Sequence, residues 1–195
     1  MLDKDLLFVI QTAFDEARAG TKNEDDLQRL HSARSRNFVE SLASQFREIY
    51  KKPDYFVFSK YHEDNRAEFK LNEYGFDVHV CEIARADTVD HENVPYVKKS
   101  VWQVESELAE DGREALIDFS KLVGGAASQK IFIGPVLTTP SRFKLFRDTL
   151  LAPARECSGV VYAAFIPHPR LWGNEDVNGT AQLFRLGANG WGEMI

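Results

Sequence analysis

The chain has 195 residues, 44% of them hydrophobic, a net charge of −6 at pH 7 and two cysteines. This is enough apolar material for one sizeable core, so a single domain over 1–195 is expected, and the acidic balance argues against a generic polyanion binder while leaving room for a local basic face. No apolar run reaches the ~18 residues of a membrane span. Met1-Leu2-Asp3-Lys4-Asp5 lacks the basic and apolar regions of a signal peptide. Cys81, in a core strand, and Cys157, near a helix end, are expected as free thiols of a cytoplasmic protein.

The first third reads as helical. Leu6, Leu7, Ile10, Ala13 and Phe14 recur at helical spacing, and Gly20 marks a stop. A second helix is predicted from about Asn23 or Glu24 to Tyr50, with Val39, Leu42, Phe46 and Ile49 as its apolar stripe. Lys51-Lys52-Pro53 closes it, because proline cannot continue a helix. Strands are predicted at 55–58, at 68–71 after the polar turn Glu63-Asp64-Asn65, and at 76–83, introduced by Gly75. A polar loop over 86–100 leads to a strand at 102–108. Residues 112–123 form an amphipathic helix that ends at Gly124-Gly125. A short buried strand at 130–133 precedes a helix over 140–156, with Thr139 as cap and Pro140 in the first turn. The apolar run 160–166 suits the centre of a sheet, and 181–186 alternates as an edge or terminal strand. This order predicts a mixed α/β sheet with helices on both faces.

The strand at 102–108 carries the most chemistry. Alternation places Trp102, Val104, Ser106 and Leu108 on one face and Gln103, Glu105 and Glu107 on the other, with the two carboxylates about 7 Å apart. Two acids on the inner side of a strand repel one another and lose solvation unless a cation joins them. Asp77 opens the neighbouring strand in sequence, and consecutive strands usually pair, so three carboxylates can converge. Glu40, on the long helix and off its apolar stripe, can supply a fourth. Such a cluster suits Mg²⁺ or Mn²⁺, which take oxygen ligands, activate water and neutralise charge on a phosphoryl group.

These residues carry a resemblance. Glu73-Tyr74-Gly75-Phe76-Asp77-Val78 resembles the Asp-bearing strand, and Val104-Glu105-Ser106-Glu107 the Glu-x-(Lys/Glu) strand, of the PD-(D/E)XK nucleases. The order of elements over 34–166 is similar to their core. The resemblance implies a restriction-endonuclease-like fold and an Mg²⁺-dependent DNA endonuclease. It makes Asp77 and Glu105 metal ligands, and Glu40 the extra helix ligand that some members use. Glu107 then stands where lysine is usual, as in the subset with a second glutamate. Either Glu107 positions the water, or a lysine arrives from elsewhere, with Lys121 on the following helix as candidate and Lys99 as alternative.

A nuclease also needs a basic surface. Arg142, Lys144 and Arg147, on a helix whose N-terminus offers backbone donors, are the candidate DNA contacts. By contrast, residues 101–118 hold six acids and one base, Arg113. His168-Pro169-Arg170 reads as a loop after the central strand, and His31, His62, His79 and His91 show no partner by spacing. Residues 173–179 lack the calcium-loop spacing and read as a turn. No Gly-x-Ser-x-Gly, Walker or dinucleotide motif occurs. A homodimer would suit double-strand cutting. The rival readings are a non-catalytic binding protein that keeps the fold, and a hydrolase of small phosphate esters.

Overall fold

Two helices open the chain and cover one face of a sheet; the computed structural model describes residues 3–20, 27–63, 65–173 and 179–194. The helices are α1 (Asp3–Gly20) and α2 (Leu27–Ile49). The predicted start of α2 at residue 23 or 24, Asp64 of the predicted turn, and residues 174–178 of the late loop lie outside the described residues. Next come β1 (Tyr55–Ser59), the single turn α3 (Arg66–Phe69), β2 (Val78–Ala86) and β3 (Val94–Ser106). Then follow α4 (Gly112–Gly124), β4 (Gln129–Val136), α5 (Pro140–Thr149), α6 (Leu151–Glu156), β5 (Val160–Pro167), β6 (Gln182–Gly187) and β7 (Gly190–Met194).

The seven strands form one sheet in sequence order. β1, β2 and β3 run antiparallel, β3, β4 and β5 parallel, and β5, β6 and β7 antiparallel again. The molecule is therefore a mixed α/β protein, and alternation in the central strands shows how the layers assemble. Ile131, Ile133, Tyr162, Ala164 and Ile166 face α1 and α2, whose Phe14, Phe38 and Phe46 are fully buried against them. Phe132, Val161, Ala163 and Phe165 face the other way, onto Phe119 of α4 and Phe146 of α5. Each central strand is apolar on both sides because both of its faces are covered. Among the described residues no helix is long and apolar enough to cross a membrane.

Four local expectations change. Residues 68–71 are not a strand: Arg66–Phe69 make a helical turn, fixed by Asn65 Nδ2 donating to the Val57 carbonyl at 2.9 Å and by Phe69 set edge-on against Phe56 and Phe58. The polar stretch before Ser100 is not all loop, since β3 starts at Val94 and pairs with β2 back to Ala86. The helix expected over 140–156 is two, α5 and α6. Pro153 lacks an N–H and its ring opposes the carbonyl four residues earlier, so the helix breaks near Leu150. Finally, 181–186 is not the last strand: a turn at Ala188 and Asn189 returns the chain as β7, with Gly190 at φ 110°, a conformation that favours glycine.

Candidate active site

Pairing at the β2–β3 hairpin brings the first two carboxylates together. Val78 pairs with Val104, so one step further Asp77 lies across from Glu105, and opposed residues of an antiparallel pair share a face. Asp77 precedes the strand rather than lying within it, and the backbone N–H of Ser106 donates to its Oδ2 at 2.9 Å. Glu105 is only 2% exposed and is the next-to-last residue of β3, at the carboxyl end of a strand that runs parallel to β4. Crevices beyond the carboxyl ends of parallel strands are where open α/β sheets bind ligands.

The third group comes from above the sheet. α4 begins at Gly112, with the Asp111 side chain accepting from the Arg113 N–H at 2.8 Å, and its apolar side sets Phe119 and Leu122 into the core. Asp118 and Lys121 are thereby held over the end of β3. Lys121 Nζ donates to Glu105 Oε2 at 3.0 Å and lies 2.8 Å from Asp118 Oδ1. Of the lysines considered from sequence, Lys121 is the one that reaches Glu105. Lys99 sits across from Glu82, away from this end of the hairpin.

Electrostatics make the cluster unusual. Burial, then the charge of Asp77, hold the Glu105 carboxyl up to about 8, although Lys121 pulls the other way. Burial also raises Asp77, against its bond from Ser106, and raises Glu107. For Lys121, burial works against the ammonium, yet Asp118 and Glu105 outweigh it and hold the pKa above its ordinary value. The fold therefore keeps two acids close under a lysine at the cost of their natural ionisation. Shifted ionisation beside a cleft, with a specific charged partner, is a physical ground for treating these residues as a candidate site.

Glu107 lies just past β3. Its N–H donates to the Ile133 carbonyl at 2.9 Å, and its Oε1 accepts from the Ala109 N–H at 2.6 Å. With Asp77, Ser106 and Lys121 it lines a cleft of about 630 Å³. The rest of the lining was not legible from spacing: His31 and Arg36 of α2, Lys60 and Tyr61 after β1, Glu73 before β2 and His168 after β5. The His31 and His168 rings meet edge-on with centroids 5.9 Å apart. His168 Nδ1 accepts from the Arg170 N–H at 3.1 Å, which leaves the ring proton on Nε2. Arg34, 5% exposed, donates to the Pro169 carbonyl and fastens this turn to α2.

Other candidates fall elsewhere. Glu40 Oε1 accepts from Ser59 Oγ at 2.9 Å, and the same hydroxyl accepts from Arg47 Nη2 at 2.9 Å. This network borders a separate cleft of about 480 Å³ with Tyr50 and Tyr55, and Glu40 does not line the Asp77 cleft. Arg142, Lys144 and Arg147 do not line it either. Arg142 lies 3.7 Å from Glu110, Lys144 pairs with Asp148, and Arg147 covers the Phe184 ring at 4.6 Å. Asp148 answers Lys144 and lies 3.7 Å from Arg147, and Glu110 meets both Arg142 and Arg170. His79, partnerless by spacing, has two bonds: Nδ1–H donates to the Tyr74 carbonyl at 2.8 Å, and Nε2 accepts from Ser100 Oγ at 2.9 Å. Both cysteines are free, and burial lifts the Cys81 thiol to about 12.

The site can therefore hold a hard cation on oxygen ligands beside an ammonium, with imidazoles and a guanidinium across a cleft. Among the described residues no three of His, Cys, Asp and Glu form a complete metal-holding group. No family model matches the chain, and no curated protein or solved structure matches it significantly.

Proposed function

We propose that the protein is a metal-dependent phosphodiester hydrolase with a restriction-endonuclease-like core, acting on nucleic acid. The observation that carries the reading is Lys121 Nζ at 3.0 Å from Glu105, beside Asp77, at the carboxyl end of β3. Asp77 and Glu105 fit Mg²⁺ or Mn²⁺ by donor chemistry. Both are carboxylates, each meets a protein donor through a named oxygen (Oδ2 and Oε2), and Mg²⁺ normally uses only one or two carboxylates with water and substrate completing its shell. The missing third protein ligand agrees with that habit. When bound, the cation supplies charge neutralisation at the phosphoryl group and a more acidic water.

The chain's own residues do the rest. Lys121, fixed between Glu105 and Asp118, presents an ammonium to charge developing on the phosphoryl oxygens. Glu107, at the cleft wall and half-buried, is placed to orient a water and take its proton. Arg36 and Lys60 line the same cleft and attract a polyanion to an otherwise acidic protein. The incomplete ligand set favours a second reading, a non-catalytic member that binds nucleic acid in the same cleft.

The two readings part on one assay. Of labelled single- and double-stranded DNA incubated with Mn²⁺, at least one should be cut by the wild type, and neither by Asp77→Asn or Glu105→Gln. Calorimetry should show Mn²⁺ uptake by the wild type that Asp77→Asn lacks. Identical titrations of the two proteins end the hydrolase reading; uptake without cutting moves it to the binding one.

A further inference from the structure

The wall of the cleft opposite the carboxylates has its own logic. Tyr61 follows β1, is 46% exposed and lines the cleft. Arg36 Cζ lies 5.6 Å and Lys60 Nζ 5.7 Å from the centre of its ring. Most exposed aromatic rings in a soluble protein need no explanation, but this one stands between two cations facing an acidic cluster. Several other cations of this protein meet carboxylates: Lys98 pairs with Glu82, Arg85 with Glu68, Lys121 with Glu105 and Asp118, and Arg170 with Glu110. Among the described residues neither Arg36 nor Lys60 is paired with a carboxylate. In a chain of net charge −6, two cations left over a ring at a cleft are available to an incoming anion.

We infer that this wall holds an unpaired stretch of nucleic acid, a base stacking on Tyr61 and the flanking phosphates meeting Arg36 and Lys60. The inference rests on the hydrolase reading only for what then happens at Asp77 and Glu105. Size favours a single strand. A volume of about 630 Å³ falls in the ~300–1,000 Å³ range that holds a small organic molecule, and so suits a nucleotide or two entering the cleft. Chemistry agrees, because a base in a duplex is already stacked on its neighbours and has no face to give a tyrosine, whereas every unpaired base has one. Cations beside an aromatic platform are the usual composition of single-strand sites.

The test is binding in EDTA, read by fluorescence anisotropy with labelled twelve-nucleotide oligo-dT, oligo-U and a duplex of equal length. The wild type should bind a single strand about tenfold or more tightly than the duplex, and the dT and U arms show which sugar is preferred. Tyr61→Leu should weaken single-strand binding about tenfold, within the range of removing one stacking partner, while Tyr61→Phe keeps it. Arg36→Gln and Lys60→Gln should each flatten the logarithmic salt dependence by about 0.7. Equal affinity for duplex and single strand, an unaffected Tyr61→Leu, or no saturable binding overturns the inference. Cutting is scored separately with Mn²⁺. A wild type that binds through Tyr61 but never cuts defeats the hydrolase reading alone. One that cuts, with KM unchanged in Tyr61→Leu, defeats the platform alone.

Discussion

Replacing Glu105 by glutamine should make the metal-free protein more stable, and the gain should depend on pH in a defined direction. Glu105 is 2% exposed and keeps its proton to about pH 8 in the fold, against an ordinary value of 4.5. Between those limits the folded protein binds a proton that the unfolded chain has released, so wild-type stability falls as pH rises, by about 1.4 kcal/mol per pH unit. At pH 7 the cost of this one carboxyl approaches ~3 kcal/mol as a ceiling. Glutamine carries no such cost and keeps an oxygen that can accept from Lys121, while Lys121 keeps Asp118 at 2.8 Å. Set below that ceiling, the net expectation is ~1–2 kcal/mol in favour of Glu105→Gln at pH 7–8, shrinking to less than ~1 kcal/mol at pH 5 and vanishing below about pH 4, where folded and unfolded chains both carry the proton. For a chain of this length that is ~2–8 °C in melting temperature. Thermal melts of both proteins in EDTA at pH 5, 7 and 8.5 measure it. With saturating Mn²⁺ the order should reverse, since a ligand at a hundred times its Kd adds ~2.7 kcal/mol to whichever protein binds it. A melting difference that is constant from pH 5 to 8.5, or a variant that is less stable at pH 8.5 in EDTA, refutes the argument from burial.

Lys121→Met should slow hydrolysis by ~10²-fold or more in initial-rate measurements. It should also lower the melting temperature more at pH 8.5 than at pH 5, where the Glu105 proton has already dissolved the ion pair. His79 is buried and desolvation lowers its pKa, so the unfolded chain takes up a proton that the fold refuses. This contribution to stability should be complete above about pH 6.5 and lost as the pH falls below it, and Ser100→Ala, which strips Nε2 of its donor, should cost ~1 kcal/mol in urea titrations at pH 8. Gly125→Ala puts a Cβ 2.0 Å from Gln103 Oε1, which accepts from the Ala127 N–H at 3.1 Å. Expelling Gln103 should cost ~1–3 kcal/mol by the same titration, and a neutral result would mean that the amide has another seat.

How much of this was legible beforehand divides by the range of the interactions. The alternation around Glu105 was plain, because the apolar core fixes Trp102 and Val104 on one face and leaves the acid on the other. Asp77 opposite Glu105 followed from pairing of consecutive strands, and Lys121 from a helix that had to return across the same strand to start β4. The first half of β3 was hidden because Lys98 and Lys99 are exposed and Pro95 reads as a break, so no hydrophobic period marks it. Residues 68–71 alternate like a strand, but Asn65 and the packing of Phe69 overrule that local signal. The basic wall depends on contacts far apart in sequence, such as Arg34 with Pro169, and no spacing rule reaches that distance. For the same reason Arg142, Lys144 and Arg147 misled: a basic helix says nothing of whether its charges are already answered by Asp148, Glu110 or a ring.

The arrangement has a consequence for how the site and the fold share their energy. A lysine between two carboxylates would satisfy a surface, and an apolar pair would satisfy a core. The chain does neither, and holds Glu105 almost fully buried beside Asp77 with a single half-exposed ammonium as counterion. Replacing such a group with a neutral one of similar volume commonly stabilises a protein. On the hydrolase reading proposed above, a position that weakens the fold while its surroundings are tightly built, with Ser106 bonded to Asp77 and Asp118 beside Lys121, would be accounted for by a cation and a phosphate binding there. A cation would offset the burial and the Asp77 charge that raise Glu105, and the substrate would supply an anion to Arg36 and Lys60. Binding and stability should therefore rise together in the wild type. An increase in melting temperature with Mn²⁺ and single-stranded DNA that is lost in Asp77→Asn would establish that coupling, and equal shifts in both proteins would reject it.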